Sequence, residues 1–178
     1  MRQLLLVATV MLGLAAPAVA EVVDAGANGF SVKVATEVNA APAAVFRALS
    51  EQIGRWWDPA HTFSGQAANL TIDPRAGGCF CEKVPTGSVQ HMIVSHVEAP
   101  RILVRHVEAP RILVLQGGLG PLGTLAVAGA MTWTLEARNG RTQLQMVYNV
   151  GGYMQGGFTQ LAPAVNGVLE TQVRRLKT

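Results

Sequence analysis

Charge is scarce in this chain. Asp, Glu, Lys and Arg together make up 14% of its 178 residues, against 49% apolar. A disordered acidic or basic tail needs the opposite balance to stay solvated, so that class is excluded. The basic excess is small, a formal charge of +3. No basic stripe exists apart from Arg174, Arg175 and Lys177 at the end of the chain, so no nucleic-acid partner is expected. Cysteine is almost absent: Cys79 and Cys81 are too few for a disulfide scaffold. Apolar runs of the roughly 18 residues that a membrane span requires are missing as well. What remains is an apolar-rich chain long enough for one domain with its own core.

The first residues read as a leader. Met1-Arg2-Gln3 is a short positive start, Leu4 to Leu14 is an apolar run, and Ala18-Val19-Ala20 is a small-residue cleavage pattern. That order predicts a secretory signal peptide over residues 1–20, cut after Ala20. The mature protein is then a single domain over residues 21–178, periplasmic or secreted, with no stable membrane insertion. The apolar run is too short for an anchor.

Periodicity along the rest predicts an α+β domain. Phe30, Val32, Val34, Thr36 and Val38 alternate with polar or small residues, the pattern of a half-buried strand. Pro42 suits the first turn of a helix, and Val45, Phe46, Leu49 and Ile53 share one helical face before Gly54 and Trp56-Trp57. Ala68 to Ile72 reads as a short strand. A hairpin follows, with strands over Cys79 to Val84 and Val89 to Val97 and a four-residue turn at Pro85-Thr86-Gly87-Ser88. Asn139-Gly140 is the strongest two-residue hairpin signal. It sets Leu135 opposite Leu144, Trp133 opposite Met146 and Met131 opposite Tyr148 on one apolar face. A final helix from about Thr159 to Lys177 carries the stripe Leu161, Val165, Val168, Leu169, Val173 and Leu176. The expected architecture is a curved antiparallel sheet wrapped around that long C-terminal helix, with two short helices after the first strand.

Several stretches carry a family resemblance. They are Ala41-Pro42-Ala43-Ala44-Val45-Phe46 through Trp56-Trp57, Gly77-Gly78-Cys79-Phe80-Cys81-Glu82, Gly117-Gly118-Leu119-Gly120-Pro121-Leu122, Ala128-Gly129-Ala130, and Leu161-Ala162-Pro163 through Val168-Leu169-Glu170. In this order the chain resembles the START-like, or SRPBCC, helix-grip superfamily over about residues 30 to 176. The closer resemblance is to the branch named for activators of the heat-shock-protein-90 ATPase and for polyketide-cyclase-like proteins. It implies a sheet gripping the last helix with an apolar cavity between them. A fold of this kind does not by itself fix a reaction.

One segment departs from that pattern. His96-Val97-Glu98-Ala99-Pro100-Arg101-Ile102-Leu103-Val104 recurs unchanged at residues 106–114. Two copies are too few for a repeat architecture, so a tandem duplication is the reading. One copy supplies a strand, a turn and a strand. The additional ten residues are expected to extend a hairpin or bulge outward, since an even insert preserves the in/out alternation.

The candidate chemistry follows from hairpin parity. With the turn at 85–88, Cys79 and Cys81 face Val94 and Met92, and Glu82 meets His91 on the other side. A disulfide between the cysteines sits at the limit of bridging geometry in a regular strand and needs a bulge. A soft metal site using both thiolates and His91 conflicts with the parity. The preferred reading is two small buried thiols in the cavity wall. Glu82 and His91 can act as a general acid/base pair, or serve only as a cross-strand ion pair. His61 is placed near the cavity mouth, and the glycine-rich loop from Gln116 to Gly123 is a hairpin end or lid.

The expected ligand-contacting set is Trp56, Trp57, Cys79, Cys81, Met92, Val94, Trp133, Met146 and Tyr148, with no metal and no cofactor. The function expected from it is the binding of a small apolar or amphipathic molecule. The alternatives are a cyclase- or hydratase-like enzyme using the same cavity, and a partner protein of a chaperone ATPase. The leader counts against the last, because that ATPase is cytoplasmic.

Overall fold

The computed structural model of the chain describes residues 18–98 and 111–177. Eight strands form one antiparallel sheet in the order β1-β2-β8-β7-β6-β5-β4-β3. They are β1 (Val19–Ala25), β2 (Gly29–Val38), β3 (Leu70–Ile72), β4 (Cys79–Val84), β5 (Gly87–Glu98), β6 (Arg111–Gln116), β7 (Val127–Arg138) and β8 (Arg141–Gly152). The helices are α1 (Pro42–Glu51), α2 (Ile53–Trp56) and α3 (Leu161–Lys177). This is the α+β helix grip expected above: the sheet curves around α3, and the short helices close one end.

Alternation builds the sheet. In β2 every second residue, from Phe30 to Val38, is buried. The β7–β8 hairpin turns at Asn139 and Gly140, with φ of 50° and 78°. Only residues tolerant of positive φ at both places allow that tight turn. Its register pairs Leu135 with Leu144, Trp133 with Met146 and Met131 with Tyr148, as the alternation predicts. All six are buried.

Pro42 starts α1, whose Val45, Phe46 and Leu49 are buried. At Gly54 a side chain would sit 2.9 Å from the Ala67 carbonyl oxygen, so glycine lets α2 pack directly on the 67–69 turn. Helix α3 is tied to this end. Its Gln172 side-chain oxygen accepts from the Asp58 N–H at 2.8 Å, and Arg175 Nε donates to the Trp56 carbonyl at 2.8 Å.

Strand β1 was not anticipated. It lies at the sheet edge on β2, with Val19 opposite Ala35 and Ala20 opposite Val34. Its polar spacing gives no clear period, and its apolar residues Val19, Val22 and Val23 are exposed. Residues 1–17 of the expected leader lie outside the described residues.

The duplicated segment also falls partly outside them. His96, Val97 and Glu98 of the first copy end β5, and Arg111 to Val114 of the second begin β6. His96 pairs with Val114, Val97 with Leu113 and Glu98 with Ile112. The start of one copy and the end of the other therefore make a single strand pair.

Candidate functional site

A cavity of about 350 Å³ lies between the sheet and α3. Leu161, Val165, Val168 and Leu169 of α3 form one wall, and Phe80, His91 and Tyr148 of the sheet form the opposite wall. Trp57 and Leu70 close one side. The mouth is framed by residues 60–63 and by residues 119–122. The lining is overwhelmingly apolar, so water gains little inside and an apolar molecule gains by displacing it.

The β4–β5 hairpin decides which side chains reach this cavity, and it corrects the sequence reading. The turn uses two residues, Pro85 and Thr86, and pairs Val84 with Gly87. Cys81 pairs with Gln90 but Phe80 pairs with Met92, so β5 spends one extra residue, His91, at a bulge. Glu82 and His91 do share a face, as expected. Past the bulge, however, Met92 and Val94 join that same face, and the cysteines stand on the other.

Phe80 and Glu82 are fully buried while Cys79 and Cys81 are half-buried. The cysteines therefore do not line the cavity. Nor are they thiols: they form a disulfide with their Cα atoms 5.4 Å apart. A regular strand holds such residues roughly 6.5–7 Å apart, so the local distortion brings the pair within bridging range. With both sulfurs bonded to each other, the thiolate metal idea lapses. Among the described residues no group of three or more His, Cys, Asp or Glu is arranged around a metal position.

His91, with Glu82 buried behind it, is the polar centre of the wall. His91 Nε2 lies 3.0 Å from Glu82 Oε2, and both side chains are buried. The loop after Thr62 supplies two further donors: Phe63 N–H to Oε2 at 3.1 Å and Ser64 N–H to Oε1 at 2.5 Å. Burial pushes the Glu82 carboxyl upward, but the hydrogen bonds from Ser64, Phe63 and His91 outweigh it and hold the group below its ordinary value. Glu82 is therefore an ionised acceptor at neutral pH. The His91 ring lies between Phe63, stacked at 5.8 Å and 18°, and Phe80 at 5.1 Å. Its Nδ1 is buried with no hydrogen-bond partner among the described residues.

Tyr148 works on the lid. Its hydroxyl accepts from the Leu119 N–H at 3.0 Å and donates to the Gly117 carbonyl at 3.1 Å. Burial raises its pKa above the usual 10 despite the Leu119 hydrogen bond, so the phenol stays protonated. The hydroxyl fastens residues 117–124 over the cavity, the position anticipated for the glycine-rich loop.

Of the remaining expected residues, Trp57 lines the cavity, its indole N–H donating to the His61 carbonyl at 3.0 Å. His61 itself is at the mouth. Trp56 turns away and donates to the Ala48 carbonyl at 2.8 Å. Met92, Val94, Trp133 and Met146 are core residues beneath the cavity wall. Sequence reasoning missed Phe63 and Phe80 in the wall. The alternation of Phe80 with the two cysteines carried the signal for Phe80; nothing local marked Phe63.

No helix among the described residues is long and apolar enough to cross a membrane.

Comparison with known proteins agrees with this architecture. The family model described as "Activator of Hsp90 ATPase homolog 1-like protein" matches residues 39–178. No curated protein matches the chain. A hypothetical protein from Helicobacter pylori has a similar structure, with a TM-score of 0.55 at 12% identity over 99% of this chain and 97% of that one. A protein from Mesorhizobium loti gives 0.53 at 16% identity, over 83% and 93%. An uncharacterised protein from Rhizobium leguminosarum gives 0.51 at 23% identity, over 91% and 96%. At these identities the likeness is one of fold.

Proposed function

The chain belongs to the family of Activator of Hsp90 ATPase homolog 1-like proteins, whose helix-grip fold is a ligand-binding one, and from that premise we propose that it holds a small apolar or amphipathic molecule between the sheet and α3. The observation that carries this reading is the 350 Å³ cavity with its apolar lining. A space of that size fits a compact ring system, and burying such a molecule contributes about 25 cal/mol per Å² of apolar surface. We place the protein in the periplasm or outside the cell, on the strength of the order of residues 1–20. Native mass spectrometry of the purified mature protein tests the binding reading. A co-purified small molecule that leaves on mild unfolding supports it. Failure to retain any apolar probe, native or added, removes it.

A second reading has one observation in its favour. The ionised Glu82 holding His91 is the arrangement of an orienting carboxylate and a general base. No nucleophile joins them among the described cavity residues, so such an enzyme would move a proton on the ligand itself, as in a cyclisation or hydration. Turnover of a bound ligand that stops in His91→Phe would establish this reading over simple binding.

A further inference from the structure

The polar centre of the cavity wall has a direction. Both Glu82 oxygens accept backbone N–H groups, which cannot act in any other sense. An acceptor-only carboxylate requires the hydrogen on His91 Nε2, so Nε2 donates to Glu82. In the neutral ring, Nδ1 then carries the bare lone pair. It is the one polar side-chain atom in the cavity wall that is buried without a partner among the described residues. A buried acceptor left unmade costs free energy that a ligand donor recovers. The ring edge is covered in this conformation. Phe63 stacks on a face of the same ring at the cavity mouth and is itself 52% exposed. The Phe63 backbone is pinned to Glu82 while its side chain stands at the mouth. A rotamer change of that side chain bares this face of the ring to the mouth without moving the loop.

We propose that His91 Nδ1 is the anchor for a hydroxyl-bearing apolar ligand, a phenol or an enol of compact ring size, oriented by Glu82 and admitted past Phe63. This rests on the cavity being a binding site, and it adds the chemical class bound there. The arrangement selects a hydrogen-bond donor and rejects the same ring with its oxygen capped.

Three probes test it by calorimetry on the mature protein: naphthalene, 1-naphthol and 1-methoxynaphthalene. The expected result is that all three bind and that 1-naphthol binds about tenfold more tightly than its methyl ether, the worth of one buried hydrogen bond. His91→Phe separates this from mere steric exclusion of the methyl group, because it keeps a flat ring in the wall and removes the Nδ1 acceptor. The tenfold preference then disappears, whereas a steric effect would persist. Nitrogen-15 NMR of the unliganded wild type should find Nε2 protonated and Nδ1 bare, and it decides the matter alone if His91→Phe does not fold. Equal affinity for 1-naphthol and its ether, or a wild-type hydrogen on Nδ1, overturns the anchor and leaves the cavity reading standing. Failure of naphthalene itself to bind overturns the cavity reading and the anchor with it.

Discussion

Cys79 and Cys81 are bonded to each other on the outer face of β4, directly across from the place where β5 inserts His91 as an extra residue. The bridge shortens one strand where the bulge lengthens its neighbour. Two distortions that face each other in this way bend the sheet locally. The bulge is what puts His91 and Met92 on the same face, and so brings a buried imidazole to the cavity wall.

The disulfide closes a loop of only three residues, so its effect on the unfolded chain is small, roughly 1.5 kcal/mol by loop-entropy scaling. Cys79→Ala with Cys81→Ala should therefore lower the urea midpoint modestly and leave the slope unchanged. Alkylation of the unreduced protein, even when unfolded, should modify neither cysteine. Rapid labelling before reductant is added would show that the pair exists as thiols.

The contrast between the two hairpins explains how much the sequence revealed. At Asn139-Gly140 the turn chemistry is local and unique, and the β7–β8 register followed residue by residue. At Pro85-Thr86-Gly87-Ser88 four consecutive turn-formers leave the turn length open. Both lengths are even, so this alone would not have moved a side chain to the wrong face. The bulge at His91 did that, and a bulge is set by the fit of the whole sheet, with no marker in the residues around it. The shared face of Glu82 and His91 was legible because an even change of turn length preserves facing up to the bulge, although Glu82 pairs with Val89 and His91 is itself the bulged residue. Phe63 was not, because its place depends on backbone contacts to Glu82 from a loop without periodicity. The α3 stripe was read correctly, but the pattern could not divide core from cavity wall. Leu161, Val165, Val168 and Leu169 line the cavity, while Val173 and Leu176 lie in the core beyond it.

Glu82 makes stability depend on acid in a definite sense. Burial alone would raise its carboxyl, but the hydrogen bonds prevail and the folded pKa lies below the ordinary 4.5. A depressed carboxylate contributes stability above its unfolded pKa and loses it as pH falls through the folded value. The urea midpoint should therefore decline below about pH 4.5. Glu82→Gln should be less stable at neutral pH and should flatten that decline. A wild type and variant with parallel acid limbs would rule this contribution out.

Tyr148 holds the lid through one oxygen. Tyr148→Phe leaves the Leu119 N–H without its acceptor and the Gly117 carbonyl without its donor. A loss of about 1–2 kcal/mol is expected from such orphaned groups. The specific sign is faster hydrogen exchange at the Leu119 amide than the global destabilisation accounts for. Gly129→Ala should do similar damage from below, since a methyl there would lie 2.7 Å from the Tyr148 ring and 2.8 Å from the Gly117 carbonyl oxygen. Unchanged protection at Leu119 in both variants would mean the lid is fastened elsewhere.

The duplicated segment yields the sharpest test of the fold. Glu98 pairs with Ile112, so the connection between the paired positions runs over residues 99–111. Removing residues 101–110 joins Pro100 to Arg111, and because the copies are identical, removing 105–114 gives the same protein. The new connection between Glu98 and Ile112 is Ala-Pro-Arg, a three-residue hairpin loop, which is a common length. Every described pair from His96↔Val114 to Ile93↔Gln116 keeps its partner, and no inward residue changes face. Shortening the loop reduces closure entropy by about 1 kcal/mol on simple scaling. The shortened protein should thus match or exceed the full chain in urea midpoint. The slope should drop slightly if the removed residues bury surface in the folded state, and stay level if they do not. A large fall in midpoint would mean that the deleted residues are themselves paired into the sheet. The β5–β6 pair of the grip would then have to be redrawn around them, and with it the wall that carries His91.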